Sequence, residues 1–504
     1  MDFFHVKRWQ RVGFKDLRPF LSMAPTMLCT GWGFFIAHEQ FEIEMRRKNM
    51  KHMSRIVLDG PRREKQLARE ALAVGYDARV RLAELPGAYE ALERYSLGMI
   101  DRKVKHGQDL TFEEAFCGMA YVVAATNECF FEATAPAFST AYRSPFTPEK
   151  AVACGTAFMQ LMAAKESFKH LTAEEVAGIA TASLMDTVIR LDPASVVETS
   201  GMGGDVGFVH NGVIKKTINV STLSALVLAA LGLPVAKHGS YGNTSAVGST
   251  EAIELLGANT TLRSIEQVER VWKNSHFAFL DAHWCKTIHD LSHLIMMETI
   301  NHVAGPMSAP FAPRTNITKL MGVNEKVHPS VIASAYALLH EKGLQRNAGV
   351  AIVCGLDIES PHTDPYDLPM VREHTIVDEL SPFASVVAIA HQDMYRGSFL
   401  VTPGDFGVTI PPTSVHVVND KEHILVANQR TLQNTDEHLV NYLAMNAALP
   451  LFMHRYGDRV DCVVRNQLNT AYLQECFLAC KQAIASGGAW DVLQKHVLES
   501  QKEA

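Results

Sequence analysis

Short apolar runs separated by helical stretches dominate the pattern of this chain from residue 191 onward. A run of about four to eight apolar residues between turns is typical of a buried strand, whereas apolar residues at helical spacing over a longer segment indicate a helix. One helical pattern runs from Leu223 to Leu231, and a second follows Gly248-Ser249 and ends at Leu256. The short runs predict strands at Val196–Thr199, Val235–Lys237, Phe277–Leu280, Val350–Cys354 and Val386–Ala390. We therefore expect an α/β domain with a central sheet and closing C-terminal helices.

The pattern before residue 191 differs, because charged and helical segments replace the strand-like runs. Shifts in composition and clusters of proline mark the expected boundaries. The predicted units are a basic segment with an apolar helix (1–38), a charged helical linker (39–94), a small helical domain (95–190) with an insertion at 129–153, and an α/β domain (191–504) whose helices near 284–302 rejoin the helical domain.

Polar, glycine-rich motifs follow one another at predicted strand ends between residues 200 and 257. Glycine admits positive φ angles, so its backbone N–H can approach a phosphate closely, and a helix N-terminus adds donors and a favourable dipole. A tight turn with a satisfied cap explains any one motif alone, but three in succession at βαβ spacing favour a binding site. The candidate phosphate-binding residues are Gly201, Gly203, Gly204, Asp205, Asn219, Ser221, Thr222, Lys237, His238, Gly239 and Ser249.

In order and in residue type, these motifs resemble those of the anthranilate phosphoribosyltransferase family, whose fold is shared with the pyrimidine nucleoside phosphorylases. Gly201–Asp205 resembles the family's Gly-Thr-Gly-Gly-Asp, Asn219–Thr222 its Asn-Ile/Val-Ser-Thr, and Lys237–Tyr241 its Lys-His-Gly-Asn-Arg. The resemblance covers about residues 95–498. It implies a small helical domain beside an α/β domain, with the active site in the cleft between them and the first two motifs on the pyrophosphate of phosphoribosyl pyrophosphate.

Departures from the family pattern concern the phosphate loop and the acceptor. The insertion Phe208–Lys215 carries an Asn-Gly hairpin signal. It is expected to lengthen or cover the loop Gly201–Asp205, called the phosphate loop below. Ser240-Tyr241 replaces the family's Asn-Arg beside the acceptor. The family's arginine that pairs with the anthranilate carboxylate aligns with Ser292, and its second arginine aligns with Glu298. Anthranilate is therefore expected to lose its cationic partners.

The expected metal site is also altered. The family's adjacent Asp-Glu pair is aligned with Asp357-Ile358-Glu359, where the intervening residue turns one carboxylate away if the backbone is extended. Asp357 and Glu359 are the metal-ligand candidates, and Mg²⁺ is expected only in an active protein. The pattern His283-x-Cys285-x3-His289-x3-His293 is interpreted as a polar helix face rather than a zinc site, because no His-Glu-x-x-His or Cys-x-x-Cys frame accompanies it.

The N-terminal segment predicts a membrane span. No charged residue occurs from Pro19 to Ala37, which is near the minimum length for crossing a bilayer. A buried anchor helix and a targeting presequence are the alternatives. Basic residues flank the segment on both sides, so the positive-inside rule leaves the orientation open. The linker 39–94, with apolar residues at helical spacing at Leu67, Ala71 and Val74, is expected to lie on partner subunits.

Composition narrows the partners and the compartment. A net charge of −7 over 504 residues, without a basic stripe in the body, argues against a nucleic acid as a binding partner. Nine cysteines without paired spacing indicate reduced thiols in a cytosolic or matrix-like compartment. Together with the basic N-terminus, this favours the mitochondrial inner membrane, with the body in the matrix.

These observations favour a non-catalytic, phosphoribosyltransferase-like accessory subunit of a membrane-protein assembly, such as a mitochondrial respiratory complex of the complex I type. Its partners would be other membrane-protein subunits, contacted through residues 19–38 and 39–94, and the cleft could retain phosphoribosyl pyrophosphate or a nucleotide. The alternative is an active transferase that moves phosphoribose from phosphoribosyl pyrophosphate to anthranilate or another acceptor. Fold alone does not choose between the two functions.

Overall fold

The structure, a computed structural model, describes residues 56–210, 212–242, 246–358 and 364–502. The predicted membrane helix at 19–38 lies outside the described residues, and so does Glu359. Within the described ranges, no helix is both long and apolar enough to cross a membrane. The N-terminal span therefore stays a prediction.

Several helices begin at residues that cap them. Thr111 and Thr172 each exchange side-chain and backbone hydrogen bonds with a glutamate three residues further on, Glu114 and Glu175. Such reciprocal caps satisfy N–H groups that the first turn leaves unpaired. The helices are α1 Pro61–Leu72, α2 Ala78–Ala83, α3 Ala88–Arg94, α4 Leu97–Lys105, α5 Phe112–Thr126, α6 Glu128–Tyr142, α7 Pro148–Phe168, α8 Ala173–Asp186, α9 Val220–Ala230, α10 Ser249–Leu255, α11 Ile265–Ser275, α12 Ala282–Cys285, α13 Ile288–Ile295, α14 Asn301–Met307, α15 Pro329–Glu341, α16 Leu368–His374, α17 Lys421–Leu432, α18 Glu437–Tyr456, α19 Thr470–Ala485 and α20 Gly488–Gln501.

A mixed sheet forms the centre of the α/β part. The strands are β1 Ser195–Gly201, β2 Phe208–His210, β3 Val213–Lys216, β4 Val235–Gly239, β5 Phe277–Asp281, β6 Asn316–Gly322, β7 Arg346–Leu356, β8 Thr375–Val377, β9 Ser385–His391, β10 Met394–Val401, β11 Val417–Val418, β12 Val463–Val464 and β13 Gln467–Leu468. The main sheet has the order β10-β9-β7-β6-β1-β4-β5, with β8 added to β7. Strands β5, β4, β1, β6 and β7 are parallel to one another, whereas β8, β9 and β10 join the sheet through antiparallel pairings. The predicted α/β class is confirmed, and the five predicted strands are β1, β4, β5, β7 and β9.

The pattern of apolar runs missed β6, although this strand lies in the middle of the sheet. Lys319 interrupts its apolar pattern, yet the side chain is buried and forms an ion pair with Glu198, its register partner on β1. A buried charge is tolerated when it is paired. Periodicity alone therefore cannot identify a strand whose central residue is the charged partner of its neighbour.

Two apolar cores lie on opposite faces of the sheet. Within β1, Val196 belongs to the core shared with the helical part, and the next residue, Val197, belongs to the core beneath the C-terminal helices. Successive side chains of a strand point to opposite faces, so β1 is buried on both sides. The loops at its carboxyl end are therefore attached to a fixed strand.

Residues 56–94 are part of the folded body and do not form the separate linker predicted for 39–94. Leu82, for example, is fully buried in the helical core. In α1, the predicted apolar stripe points the wrong way, because Leu67 and Ala71 are exposed while polar residues face the body. Buried polar partners dock this helix, so hydrophobic periodicity predicted the wrong face.

Residues 129–153, predicted as an enlarged connection, fold almost entirely into α6 and the start of α7. Phe130 and Phe138 of α6 are buried in the helical core. Pro136 lies inside α6, and Pro148 occupies the first turn of α7, where a missing N–H has no cost. Pro136 and Pro148 thus mark a helix interior and a helix start, and only Pro145 lies in the short loop between the two helices.

Candidate active site

A cleft of about 750 Å³ lies at the carboxyl ends of β1 and β4. In sheets of this kind, ligands bind in the crevice outside the carboxyl ends of the parallel strands. Thr222 is buried and is not part of the cleft lining. The other predicted phosphate-binding residues all line the cleft: Gly201, Gly203, Gly204, Asp205, Asn219, Ser221, Lys237, His238, Gly239 and Ser249.

The loop after β1 needs its glycines. Gly203 and Gly204 have φ angles of 67° and 73°, which side chains rarely adopt. Gly203 donates its N–H to Asp378 Oδ2 at 2.9 Å, and its carbonyl oxygen accepts from Asn324 Nδ2 at 3.0 Å. A Cβ at Gly201 would collide with the same Asp378 carboxylate. The glycines therefore permit the close approach of an acidic residue from the turn after β8.

The acidic pair of the cleft is Asp378-Glu379, which the sequence analysis missed. Both residues line the cleft. Asp357 lies outside the lining, is exposed, and pairs with His374 at 2.8 Å, while Glu359 is outside the described residues. Among the described residues, the adjacent acidic pair in the cleft is therefore Asp378-Glu379, and Asp357 is not part of it. A signal was present, because these adjacent acids directly follow a short strand-like apolar run.

Carboxyl groups repel one another in this part of the cleft. Burial raises the pKa of Asp205 to about 6, and the charge of Asp378 adds to the rise, while Lys216, 3.0 Å away, opposes it. Burial also raises the pKa of Glu379 well above its ordinary value, with contributions from Asp378 and Asp205. Buried carboxyls that repel one another favour the arrival of a cation.

The chemistry of these carboxyls fits Mg²⁺ together with a phosphate substrate. Mg²⁺ usually takes one or two protein carboxylates and completes its coordination with phosphate oxygens and water. Among the described residues, no group of three or more His, Cys, Asp or Glu side chains is arranged to hold a metal ion. One or two of the carboxyls of Asp205, Asp378 and Glu379 could still hold a cation that takes its other ligands from a substrate and water.

The helix N-terminus at α9 offers donors to an anion. Asn219, the residue before α9, is fixed by Asn428, whose Nδ2 donates to Asn219 Oδ1 at 2.8 Å. Its own Nδ2 donates to the carbonyl oxygen of Val247 at 3.2 Å. Ser221, in the first turn, is half-buried and lines the cleft. The N–H groups of Val220 and Thr222 already donate to the carbonyl oxygens of Ile218 and Asn219, so the Ser221 hydroxyl and the helix dipole are the features of this turn that favour a phosphate.

Buried lysines give the base of the cleft near β4 a positive charge. Burial lowers the pKa of Lys237 to about 8, Glu198 opposes this change, and Lys319 adds to it. The Nζ of Lys286 lies 3.4 Å from the Nε2 of His238, and burial lowers the pKa of Lys286 to about 7. Because Glu198 already pairs with Lys319, the remaining lysine charge favours an anionic ligand.

The insertion Phe208–Lys215 forms the β2–β3 hairpin, which lengthens the phosphate loop without covering it. Strand β3 pairs with β11, and Phe208 packs on the ring of His416 with centroids 4.4 Å apart. None of the described hairpin residues lines the cleft. Lys216, directly after the hairpin, reaches back to Asp205. Of the two expected outcomes, the described hairpin residues fit a lengthened loop and not a covered one.

Residues that the sequence predicts to lie at the acceptor end, where the family binds its acceptor, also line this cleft, and their assignment to that role stays a prediction. Tyr241, Ser292 and Glu298 all line the cleft. Glu298 forms an ion pair with Lys326, so its charge is partly offset. A cationic residue at this end must therefore come from another part of the chain.

The histidines predicted to form one polar helix face lie on two helices, His283 on α12 and the others on α13, and their rings are in contact at tilted angles. The centroid of the His283 ring lies 4.6 Å from that of His293 and 5.6 Å from that of His289. Burial, followed by the charge of His283, lowers the pKa of His293 to about 3. Burial also lowers the pKa of His289 well below its ordinary value. His289 and His293, which line the cleft, are thus neutral at physiological pH.

The glycine loop, the helix N-terminus and the buried lysines together are typical of a protein that binds a phosphate group. Residues 194–365 match the glycosyl transferase family, a/b domain. The anthranilate phosphoribosyltransferase of Pyrococcus furiosus is 32% identical over 295 residues, which cover 56% of this chain and 76% of the relative. The chain belongs to the anthranilate phosphoribosyltransferase family.

Solved structures show the same fold. Anthranilate phosphoribosyltransferase from Thermus thermophilus superposes with a TM-score of 0.56 at 20% identity, covering 80% of this chain and 99% of that one. The Saccharomyces cerevisiae enzyme in complex with phosphoribosyl pyrophosphate and Mg superposes with a TM-score of 0.54 at 18% identity, covering 80% and 97%. At this level of identity the likeness concerns the fold alone.

Proposed function

We propose that this chain is an active phosphoribosyltransferase, which uses phosphoribosyl pyrophosphate with Mg²⁺ and an amine as acceptor. The observation that carries the proposal is the position of Asp378-Glu379 in the same cleft as Gly201–Asp205 and Lys237. Acidic residues for a cation, and a glycine loop with a buried lysine for phosphate, are the groups that this reaction requires.

The reaction exchanges one bond at the ribose for another. The bond from ribose C1 to a pyrophosphate oxygen breaks, and the oxygen leaves with the electron pair. A bond forms from C1 to the acceptor nitrogen, which then loses a proton to solvent. Charge develops on the leaving pyrophosphate, so fixed donors placed around it lower the barrier.

Different residues of the cleft would perform different parts of this reaction. One or two of the carboxyls of Asp205, Asp378 and Glu379 would hold Mg²⁺, which when bound neutralises charge on the pyrophosphate. The first turn of α9 and the buried Lys237 offer donors and positive charge to phosphate oxygens. Binding both substrates in one cleft places the amine near C1 and removes most of the entropic cost of their encounter.

Calorimetric titration with phosphoribosyl pyrophosphate and Mg²⁺ tests the donor site. Asp378→Asn removes one carboxylate of the acidic pair in the cleft, whereas Asp357→Asn removes one carboxylate from the surface position that the sequence first suggested. We expect Asp378→Asn to weaken binding by about tenfold or more, because charge-assisted contacts are worth roughly 1.5–3 kcal/mol. We expect Asp357→Asn to match the wild type. Pyrophosphate release with a panel of amines then measures turnover.

Two results would contradict the proposal. One is the absence of binding by the wild type at millimolar phosphoribosyl pyrophosphate. The other is a loss of binding in Asp357→Asn with none in Asp378→Asn. In either case the phosphate-binding groups of the cleft would not act on this substrate.

The hypothesis of a non-catalytic accessory subunit has less support than the sequence alone gave it. It relied on a disrupted acidic pair, and the adjacent pair Asp378-Glu379 lines the cleft. It also relied on a membrane span at residues 19–38, which lies outside the described residues. A location at the mitochondrial inner membrane stays a prediction, and it is compatible with an active transferase.

A further inference from the structure

Helix α1 is fixed beside the cleft by buried polar side chains. Arg69 donates to both carboxylate oxygens of Asp290 on α13, at 2.6 and 3.2 Å, and both side chains are fully buried. Lys65 is buried too, and its Nζ lies 3.3 Å from the carboxylate of Glu254 on α10. These contacts give α1 a defined position, although it precedes the range 95–498 in which the sequence resembles the family.

Arg62 reaches the cleft from the first turn of α1. It lies seven residues, or about two helical turns, before Arg69 and so shares its face of the helix. Arg62 lines the cleft, with its guanidinium carbon 5.3 Å from the centre of the Tyr241 ring. After burial and His283, its charge is the next contribution to the lowered pKa of His293. Arg62 therefore lies at the acceptor end of the cleft.

Arg62 has a donor to offer to a ligand. Its Nε is buried and has no hydrogen-bond partner among the described residues. The other lysine and arginine side chains in the described lining are engaged, since Lys216 pairs with Asp205 at 3.0 Å and Lys237 donates to the His238 carbonyl oxygen at 2.9 Å. An unsatisfied buried N–H on a charged group is costly, and an anionic group of the ligand would satisfy it.

The neighbours of Arg62 define the rest of the ligand. Met296 and Met297 line the same cleft and offer an apolar, polarisable surface that suits an aromatic ring. His289 and His293 are neutral there, because burial lowers the pKa of both. An apolar ring that carries one negative group matches this combination.

We propose that Arg62 is a specificity-determining residue that binds the anionic group of the acceptor. The inference rests on the proposed function and adds a residue to its acceptor site. Arg62 would supply from α1 a cation that Ser292, in the same lining, cannot supply. Its planar fork can donate two parallel hydrogen bonds to one carboxylate.

A comparison of two ligands isolates the carboxylate. Anthranilate and aniline share the ring and the amine, and only anthranilate has the carboxylate. Calorimetry in the presence of Mg²⁺ and pyrophosphate, which leaves no ribosyl group to transfer, measures the binding of each. We expect Arg62→Ala to weaken anthranilate binding by about 10- to 100-fold and to leave aniline binding within about twofold. Arg62→Lys should be intermediate, since it keeps the charge without the fork.

Two controls separate this inference from misfolding and from failure of the proposed function. Arg79→Ala removes the same charge from an exposed position on α2, outside the cleft, and should bind anthranilate as the wild type does. Phosphoribosyl pyrophosphate binding should be equal in wild type and Arg62→Ala. Failure of the wild type to bind this donor would reject the proposed function. Donor binding without a preference for anthranilate over aniline, or with an unaffected Arg62→Ala, would reject the role of Arg62 alone.

Discussion

Gly203 donates its backbone N–H to the carboxylate of Asp378 across 2.9 Å. This hydrogen bond joins the loop after β1 to the turn after β8, 175 residues further along the chain. The backbone of Asp378 is also packed against Gly322 at the end of β6, where a Cβ would overlap the Asp378 carbonyl oxygen. The phosphate loop and the acidic pair therefore position each other.

Gly322→Ala should damage both stability and donor binding. The added methyl group meets backbone rather than a flexible side chain, so the turn that carries Asp378 must shift. Overpacking of this kind costs roughly 1–3 kcal/mol of unfolding free energy. We expect denaturant titration to show a loss in this range and calorimetry to show weaker binding of phosphoribosyl pyrophosphate.

Gly98→Ala is the matched control, because nothing lies within 4 Å of the Cβ it would add in helix α4. It should leave donor binding unchanged and leave stability equal or slightly higher, since alanine favours helix by about 1 kcal/mol or less. Equal behaviour of the two variants would show that the packing at Gly322 does not position the acidic pair.

Binding of phosphoribosyl pyrophosphate with Mg²⁺ should release protons near pH 6. Burial, and then Asp378, raises the pKa of Asp205 to about 6, and the pKa of Glu379 is also raised. A cation binds the ionised carboxylates, so protons held below these pKa values must leave. Affinity should therefore rise as the pH increases through about 6.

Calorimetry at pH 6 in buffers of different ionisation enthalpy measures the number of protons released. Asp205→Asn should reduce this number, because the amide cannot titrate. Heats that are identical in all buffers would contradict the expected coupling between the cation and the carboxyl groups.

Lys237→Met should weaken the binding of phosphoribosyl pyrophosphate and raise the free energy of unfolding. Burial lowers the pKa of Lys237 to about 8, so at pH 7 the charged side chain opposes folding. Methionine removes that cost, and we expect the unfolding free energy to rise by about 1–3 kcal/mol at pH 7. The advantage should shrink as the pH rises above about 8, where folded Lys237 loses its proton. Donor binding should weaken by about tenfold or more, because a phosphate partner is lost.

Lys495→Met provides the comparison, because Lys495 is exposed on α20 and distant in the chain from the cleft-lining motifs. It should change neither the unfolding free energy nor donor affinity beyond about 0.5 kcal/mol. A Lys237→Met protein that is less stable than the wild type at pH 7 would mean that Lys237 has a structural partner that outweighs its burial.

Much of the fold was predictable because it follows from apolar patterning. β1, β4, β5, β7 and β9 have short apolar runs, and their inward residues fill the two cores. The pattern failed at β6, where Lys319 pairs with Glu198, and at α1, where Lys65 and Arg69 form the buried face. In both cases a charged residue is buried because a partner distant in sequence neutralises it, and periodicity carries no information about that partner.

The site residues were likewise predictable only where their signal is local in the sequence. Glycine motifs and helix starts are local in sequence, so Gly203 and Asn219 could be identified from their neighbours alone. The roles of Asp378 and Arg62 depend on the fold, because each enters the cleft from a segment that carries no phosphate motif. The alignment placed the acidic pair at Asp357 and Glu359 instead, since acids with nearly the expected spacing occur there too.

The ion pair of Arg69 with Asp290 gives a last test, because it connects stability to the acceptor site. Arg69→Met leaves Asp290 buried without its cation, which typically costs about 3–5 kcal/mol of unfolding free energy. The double variant with Asp290→Leu should recover much of the loss, since an apolar pair removes the unpaired charge. Denaturant titrations of the four proteins in a double-mutant cycle measure the coupling.

Function should follow the position of α1. In Arg69→Met the first turn that carries Arg62 is held less firmly, so anthranilate should bind more weakly, while phosphoribosyl pyrophosphate, which the Gly201–Asp205 loop and Lys237 would bind, should bind as before. The apolar double variant should restore anthranilate binding together with stability. Recovered stability without recovered anthranilate binding would mean that Arg69 acts on the acceptor site by its charge and not by docking the helix.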